Sequence, residues 1–169
     1  MTTERQLREK QQIYWEDVLE GQQLPDYCLG PITTTHLFRW SAAIENWHRI
    51  HYDRDFAIRH DKLPDVLMQG SWKQSIIPQY LKNWVLPDGW VWKASFQHRA
   101  MLVPGDSLTV WGRVSRKYEN QNLGFIEMDV GIRNQNAVES CPGFATVLLP
   151  FKDGRQVPYP FPMPGSGVV

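Results

Sequence analysis

The chain is short of cysteine, shows no excess of either charge sign, and has no long apolar run. Only Cys28 and Cys141 occur, and they form no CxxC pair. That excludes a disulfide framework and leaves reduced, structural thiols as the expectation. Lys plus Arg equals Asp plus Glu at 18 each, so no global basic field invites nucleic acid. No apolar stretch is long enough to cross a bilayer, and Met1 to Gln12 is charged and polar rather than a signal peptide. A soluble, cytoplasmic protein is expected, with neither nucleic acid nor a membrane as partner. Internal repeats are absent as well. What is abundant is tryptophan, eight in 169 residues. Each brings a large apolar area with one donor that needs a partner, so most belong in a core or interface and a few at a pocket.

The length suits one domain with extensions. We divide it into an N-terminal arm and lead-in over 1–24, a folded domain over 25–151, and a Pro/Gly-rich tail over 152–169. Within the lead-in, Tyr14 to Val18 reads as a short segment docking its aromatics on the body. Tyr27 to Ile32 reads as a short strand cut off by its prolines. Thr33, Thr34 and Thr35 are N-cap candidates for a helix carrying Leu37, Trp40, Ala43 and Ile44 at helical spacing. Met68 to Leu86 reads as a second helix, apolar on nearly all sides and therefore buried, with Pro78 as a kink. Strand periods follow over Trp90 to Met101, Ser107 to Tyr118, Gly124 to Arg133 and Phe144 to Phe151, separated by turn punctuation.

The densest chemistry lies where the first helix gives out. Glu45-Asn46-Trp47-His48-Arg49-Ile50-His51-Tyr52-Asp53 packs two histidines, a carboxamide and two carboxylates into nine positions. Imidazole both accepts and donates a proton near neutral pH, which makes His48 and His51 candidates for acid–base work. The same pattern also fits histidines that are merely packed or solvated. No Asp, Glu or Cys stands at a familiar ligand spacing to complete a metal set, so neither a metal nor another cofactor is expected. Asp53 is a natural N-cap for a helical turn through Phe56 and Ala57.

The segment from Asn46 to Asp53, followed by Phe56-Ala57, resembles the hydratase loop of the MaoC-like hot-dog family, which includes (R)-specific enoyl-CoA hydratases and type 2 hydroxyacyl-thioester dehydratases. Gln69-Gly70-Ser71 opening a long helix, and Arg99-Ala100-Met101-Leu102-Val103-Pro104-Gly105-Asp106 leading into a strand, resemble two further blocks of that family in the same order. The resemblance implies an α+β fold, a single hot-dog domain whose antiparallel sheet wraps around a long central helix. It also implies a hydro-lyase that hydrates an enoyl thioester, or dehydrates a 3-hydroxyacyl thioester, with an acyl-CoA as substrate. Association through a sheet edge is implied too, as a homodimer, a higher homo-oligomer, or a heteromer with a second hot-dog chain. Two alternatives stand beside it, a non-catalytic acyl-binding subunit of a heteromeric dehydratase and a hot-dog acyl-CoA thioesterase.

The same resemblance assigns roles by position. His51 matches the family histidine, and Gly70 matches the glycine whose N–H binds the thioester oxygen, a role that suits a small residue at a helix N-terminus. Asn46 falls where the bacterial (R)-hydratases carry Asp; an amide orients a water but cannot take its proton. His48 is the reserve acid–base group. Trp47, Gln69, Ser71, Trp72 and Arg99 are expected around the substrate, Arg99 buried or half-buried. Lys73, Arg113, Arg116 and Lys117 are candidates for coenzyme A phosphates.

Overall fold

A computed structural model describes residues 12–159. The expected arm over 1–11 and the end of the tail, 160–169, lie outside the described residues. Five strands form one antiparallel sheet: β1 (Tyr27–Leu29), β2 (Trp90–Phe96), β3 (Leu108–Asn120), β4 (Leu123–Asn134) and β5 (Gly143–Leu149), in the order β1-β3-β4-β5-β2. Two helices precede most of the sheet, α1 (Thr34–Ala43) and α2 (Gly70–Val85). The sheet curls around α2, which lies against β2, β3, β4 and β5. This is the α+β hot-dog architecture. No helix among the described residues is long and apolar enough to cross a membrane.

The helices begin where local chemistry satisfies their free N–H groups. At α1 the Thr33 hydroxyl accepts the His36 N–H at 3.3 Å, and His36 Nδ1 accepts the Thr33 N–H at 3.2 Å. This is a reciprocal cap with histidine in the place usually taken by Glu. α2 runs through Pro78 without a break. It departs from the all-round apolar expectation: Ile76, Ile77, Tyr80, Leu81, Trp84 and Val85 are buried, while Gln74, Ser75, Gln79 and Lys82 face outward. The helix is amphipathic, and its polar stripe interrupts what a residue count suggests is continuous. Fully burying a side chain such as Ile77 or Leu81 contributes about 1.5–3 kcal/mol, so this face anchors the helix in the sheet.

Strand β4 is buried on both faces over most of its length. The inner face meets α2. At one end the inner face is closed by the lead-in, where Trp15 packs over Gly124, donates its backbone N–H to Pro150 and its indole N–H to Phe125, and has its ring 5.2 Å from that of Phe151. The expected docking of this aromatic segment is therefore seen. The near part of the tail also packs, with Lys152 paired to Asp17 and Tyr159 edge-on to Trp90. Strand β1 stops at Leu29, short of the expected Ile32, at a cis Gly30-Pro31 bond. Strand β2 ends at Phe96 rather than Met101, and 97–107 turns back toward the start of α2.

The chain passes from α2 into β2 through a crossing with no room for a side chain. A Cβ on Gly89 would lie 2.5 Å from the Val85 carbonyl oxygen and 2.9 Å from that of Leu148. Both obstacles are backbone and cannot swing aside. Gly89→Ala is accordingly expected to cost about 1–3 kcal/mol, the usual penalty for overpacking. A lowered midpoint in urea unfolding is the check, and an unchanged midpoint would show that this crossing yields.

Candidate active site

Helix α1 ends as the backbone of Glu45 enters the left-handed region at φ 52. The Asn46 N–H still bonds back to Ser41, and its side-chain oxygen accepts the His48 N–H at 3.2 Å. That Asx turn redirects the chain into a 3-10 turn over Arg49–His51. Tyr52 donates its hydroxyl to the Trp47 carbonyl, and Asp53 holds Arg49 at 2.7 Å while accepting the Phe56 N–H at 3.0 Å. Asp53 therefore caps the next helical turn, as expected, and both of its oxygens are engaged away from proton transfer.

His51 is fixed by one hydrogen bond. Its Nδ1 lies 2.9 Å from the Leu67 carbonyl oxygen, which can only accept, so Nδ1 carries the proton. The lone pair of a neutral ring is then on Nε2. Burial holds the His51 pKa below the ordinary imidazole value; the bond to Leu67 opposes the shift and the charge of His48 adds to it. The product is a neutral, oriented imidazole with a free acceptor. Backbone pairing continues the tether, since Leu67 N–H bonds to Ile50 and Met68 N–H to Leu102. Leu67 stands three residues before Gly70, so the histidine and the start of α2 are held by the same segment.

Gly70 is the first residue of α2, where backbone N–H groups have no carbonyl one turn back and the helix dipole favours negative charge. The structure thus brings His51 and Gly70 to a common support. Of the other expected site residues, His48 is exposed, its ring 6.0 Å from that of His51. Trp47 is exposed and edge-on to Tyr52. Ser71 accepts the Trp40 indole N–H at 3.0 Å, and the Trp40 and Trp72 rings stack at 6.1 Å, building an aromatic wall beside the helix start.

Gln69 takes a structural position. It is fully buried and its amide donates to the Leu37 carbonyl at 2.9 Å and the Ser41 hydroxyl at 2.7 Å, fastening α1 to α2. Arg99 corrects the expectation of burial: its side chain is exposed, and its backbone N–H bonds to Ser140. Lys73 corrects another, because it is 3% exposed and donates to Ala100 and Ser140, so it cannot reach a coenzyme phosphate. Lys117 bonds to the Val18 carbonyl and lies over Trp15, and Arg116 lies over Tyr118. Among the described residues no three His, Cys, Asp or Glu side chains gather as a metal set. A surface hollow lined by Pro87, Asp88, Gly89 and Tyr159 lies at the far end of α2, roughly 24 Å from Gly70 by helix rise, and holds none of this chemistry.

Sequence reasoning missed His98, which the early end of β2 brings against Gly70. Its only signal was a place two residues beyond Phe96, just before the Arg99 block.

A neutral imidazole on the loop after α1 and the free N–H groups at the start of α2 are thus carried by one segment of a hot-dog fold. Residues 20–103 match the family profile described as hydroxyacyl-thioester dehydratase type 2. The chain belongs to the MaoC-like hot-dog dehydratase family. No curated protein matches it by sequence. Its fold is similar to R-hydratase PhaJ1 from Pseudomonas aeruginosa, at TM-score 0.72 and 18% identity over 83% of this chain and 88% of that one. The (R)-hydratase of A. caviae involved in PHA biosynthesis gives 0.69 at 18% identity, covering 80% and 99%. The ChsH1-ChsH2 complex of Mycobacterium tuberculosis gives 0.67 at 18% identity, covering 78% and 98%.

The Gln69 fastening can be tested alone. Gln69→Leu removes both donors and leaves the Leu37 carbonyl and the Ser41 hydroxyl without that partner, a loss of about 1–3 kcal/mol for a buried group. Denaturant unfolding should show it, and parental stability would mean that the two acceptors find other donors.

Proposed function

We propose that this chain is an enoyl-thioester hydratase and 3-hydroxyacyl-thioester dehydratase acting on an acyl-CoA. The observation that carries the reading is His51, whose Nε2 is free and whose Nδ1 is tethered to Leu67, itself three residues before the helix start at Gly70. In the hydration direction a water oxygen bonds to C3 as Nε2 of His51 takes its proton. The C2–C3 π electrons move toward the carbonyl, and the charge on the thioester oxygen is held by the Gly70 N–H. The His51 imidazolium then returns a proton to C2, so one residue serves as base and acid. Asn46 has its oxygen on the His48 N–H, which leaves its NH₂ to hold the water in place. The reverse sequence is dehydration.

The chain should assemble through a sheet edge, where β1 and β2 each leave one side without a strand neighbour among the described residues. A second reading draws on the amide at Asn46: without a carboxylate there, the chain would serve as an acyl-binding subunit of a heteromer, and one of its structural neighbours is itself a complex of two different chains. Co-purification with a second hot-dog chain, together with inactivity alone, would favour that reading.

Loss of the conjugated enoyl-thioester absorbance, without release of thiol, measures hydration and separates it from thioester hydrolysis. His51→Ala should lose about a hundredfold or more in turnover. His48→Ala should lose less, and Asn46→Asp should keep or raise activity by restoring a second base. Because burial lowers the His51 pKa, the working neutral form persists below the ordinary imidazole value of about 6.5. The acid limb of kcat/KM should therefore fall below that pH, with activity lost as protons bind. Parental hydration by folded His51→Ala would overturn the assignment.

A further inference from the structure

A second imidazole stands at the same helix start. A Cβ on Gly70 would lie 2.9 Å from Nε2 of His98 and 3.3 Å from both Cδ2 and Cε1, so the face of the His98 ring, at its Nε2 side, covers the space beside Gly70 and leaves Nε2 at the helix start. The opposite nitrogen, Nδ1, is 3.8 Å from Sγ of the buried Cys141. Behind this pair lies Lys73, 3% exposed, whose ammonium donates to the Ala100 carbonyl at 2.9 Å and the Ser140 hydroxyl at 2.8 Å, while Ser140 donates to Ala100 at 2.7 Å. The network pins residues 100 and 140, which flank His98 and Cys141 in the chain. Both hydrogen-bond acceptors of Lys73 are neutral. A buried cation held this way, in the first turn of α2, adds positive potential where the helix dipole already favours an anion. Such an arrangement is costly at rest and is relieved when negative charge forms nearby.

We propose that His98 is a further catalytic residue of this site, whose Nε2–H donates to the thioester oxygen alongside the Gly70 N–H as charge develops there. The inference rests on the hydratase reading. In this assignment the Cys141 thiol, which burial keeps protonated, donates to Nδ1, and the ring proton is carried on Nε2. Partial burial, with Lys73 as a lesser cause, holds the His98 pKa below its ordinary value and favours the neutral ring, which serves here as a hydrogen-bond donor. Cys141 and Lys73 are positioning residues. His51 moves the protons, and His98 and Gly70 hold the oxygen.

The full chain carrying His98→Phe, His98→Ala or His98→Gln tests this, with thermal unfolding as the check on folding. Phe fills the space without a donor, Ala covers the case in which Phe does not fold, and Gln restores an N–H. His98→Phe and His98→Ala are expected to lower kcat about a hundredfold with little change in KM, the usual cost of one oxyanion donor. His98→Gln should recover much of the loss, which a packing role would not produce. Acetoacetyl-CoA gives a readout without turnover, because the absorbance of its bound enolate reports negative charge shared by the thioester oxygen. That band should be present with the parental protein and weakened by His98→Phe or His98→Ala. Parental kcat and a parental enolate band in a folded variant lacking the donor, with His51→Ala inactive, would remove His98 and leave the hydratase reading intact. Parental hydration by His51→Ala would instead remove the hydratase reading, and no enolate band with the parental protein would remove the His98 assignment.

Discussion

The hydrogen bond from His51 Nδ1 to the Leu67 carbonyl is the constraint on which the site depends. It joins a loop delivered by α1 to the segment that enters α2, two pieces of chain with no secondary structure in common. By engaging one ring nitrogen it decides which nitrogen is left free. A loop histidine without that tether would sample rotamers and tautomers; with it, the lone pair has one direction. Neighbouring contacts serve the same end. Asn46 and Asp53 set the turns on either side, and Leu67 and Met68 bond across to Ile50 and Leu102.

The start of α2 concentrates polar groups in a place that packing alone would fill with apolar ones. Gln69 and Lys73 are buried there, with Ser41 and Ser140 as partners. The Gln69 side-chain oxygen is buried without a hydrogen-bond partner among the described residues. Natural cores place few such groups, because each costs desolvation that a neutral pair recovers only in part. Their position explains the expense: they hold α1, α2 and the 97–107 turn at fixed distances around Gly70. The remainder of α2 follows ordinary rules, with its apolar face in the sheet and its polar stripe outside.

The aromatic content divides between these tasks. Trp15 and Trp84 close the body of the fold, one over Gly124 at the end of the inner face of β4 and the other within the core. Trp40 and Trp72 stack beside the helix start, where the Trp40 indole N–H is satisfied by Ser71. Trp47 stays outside, its ring held only at an edge by Tyr52.

Local signals were enough for the elements and for part of the site. The threonines before α1, the histidine-rich loop, the helix opening at Gly70 and the alternating runs after Gly89 each carry their own periodicity or cap chemistry, and those depend on near neighbours in the chain. Resemblance joined His51 to Gly70. What the sequence could not decide were contacts between residues far apart in it. The partner of His51 is sixteen positions away, Gln69 reaches back to Leu37, and Lys73 meets Ser140 across the domain. A lysine after a helix start reads as a solvated charge until the fold closes over it, and an arginine in a strand block reads as half-buried until the strand ends early. His98 was silent for the same reason: no rule of spacing links it to Gly70, and only the return of the chain after Phe96 puts an imidazole against that glycine.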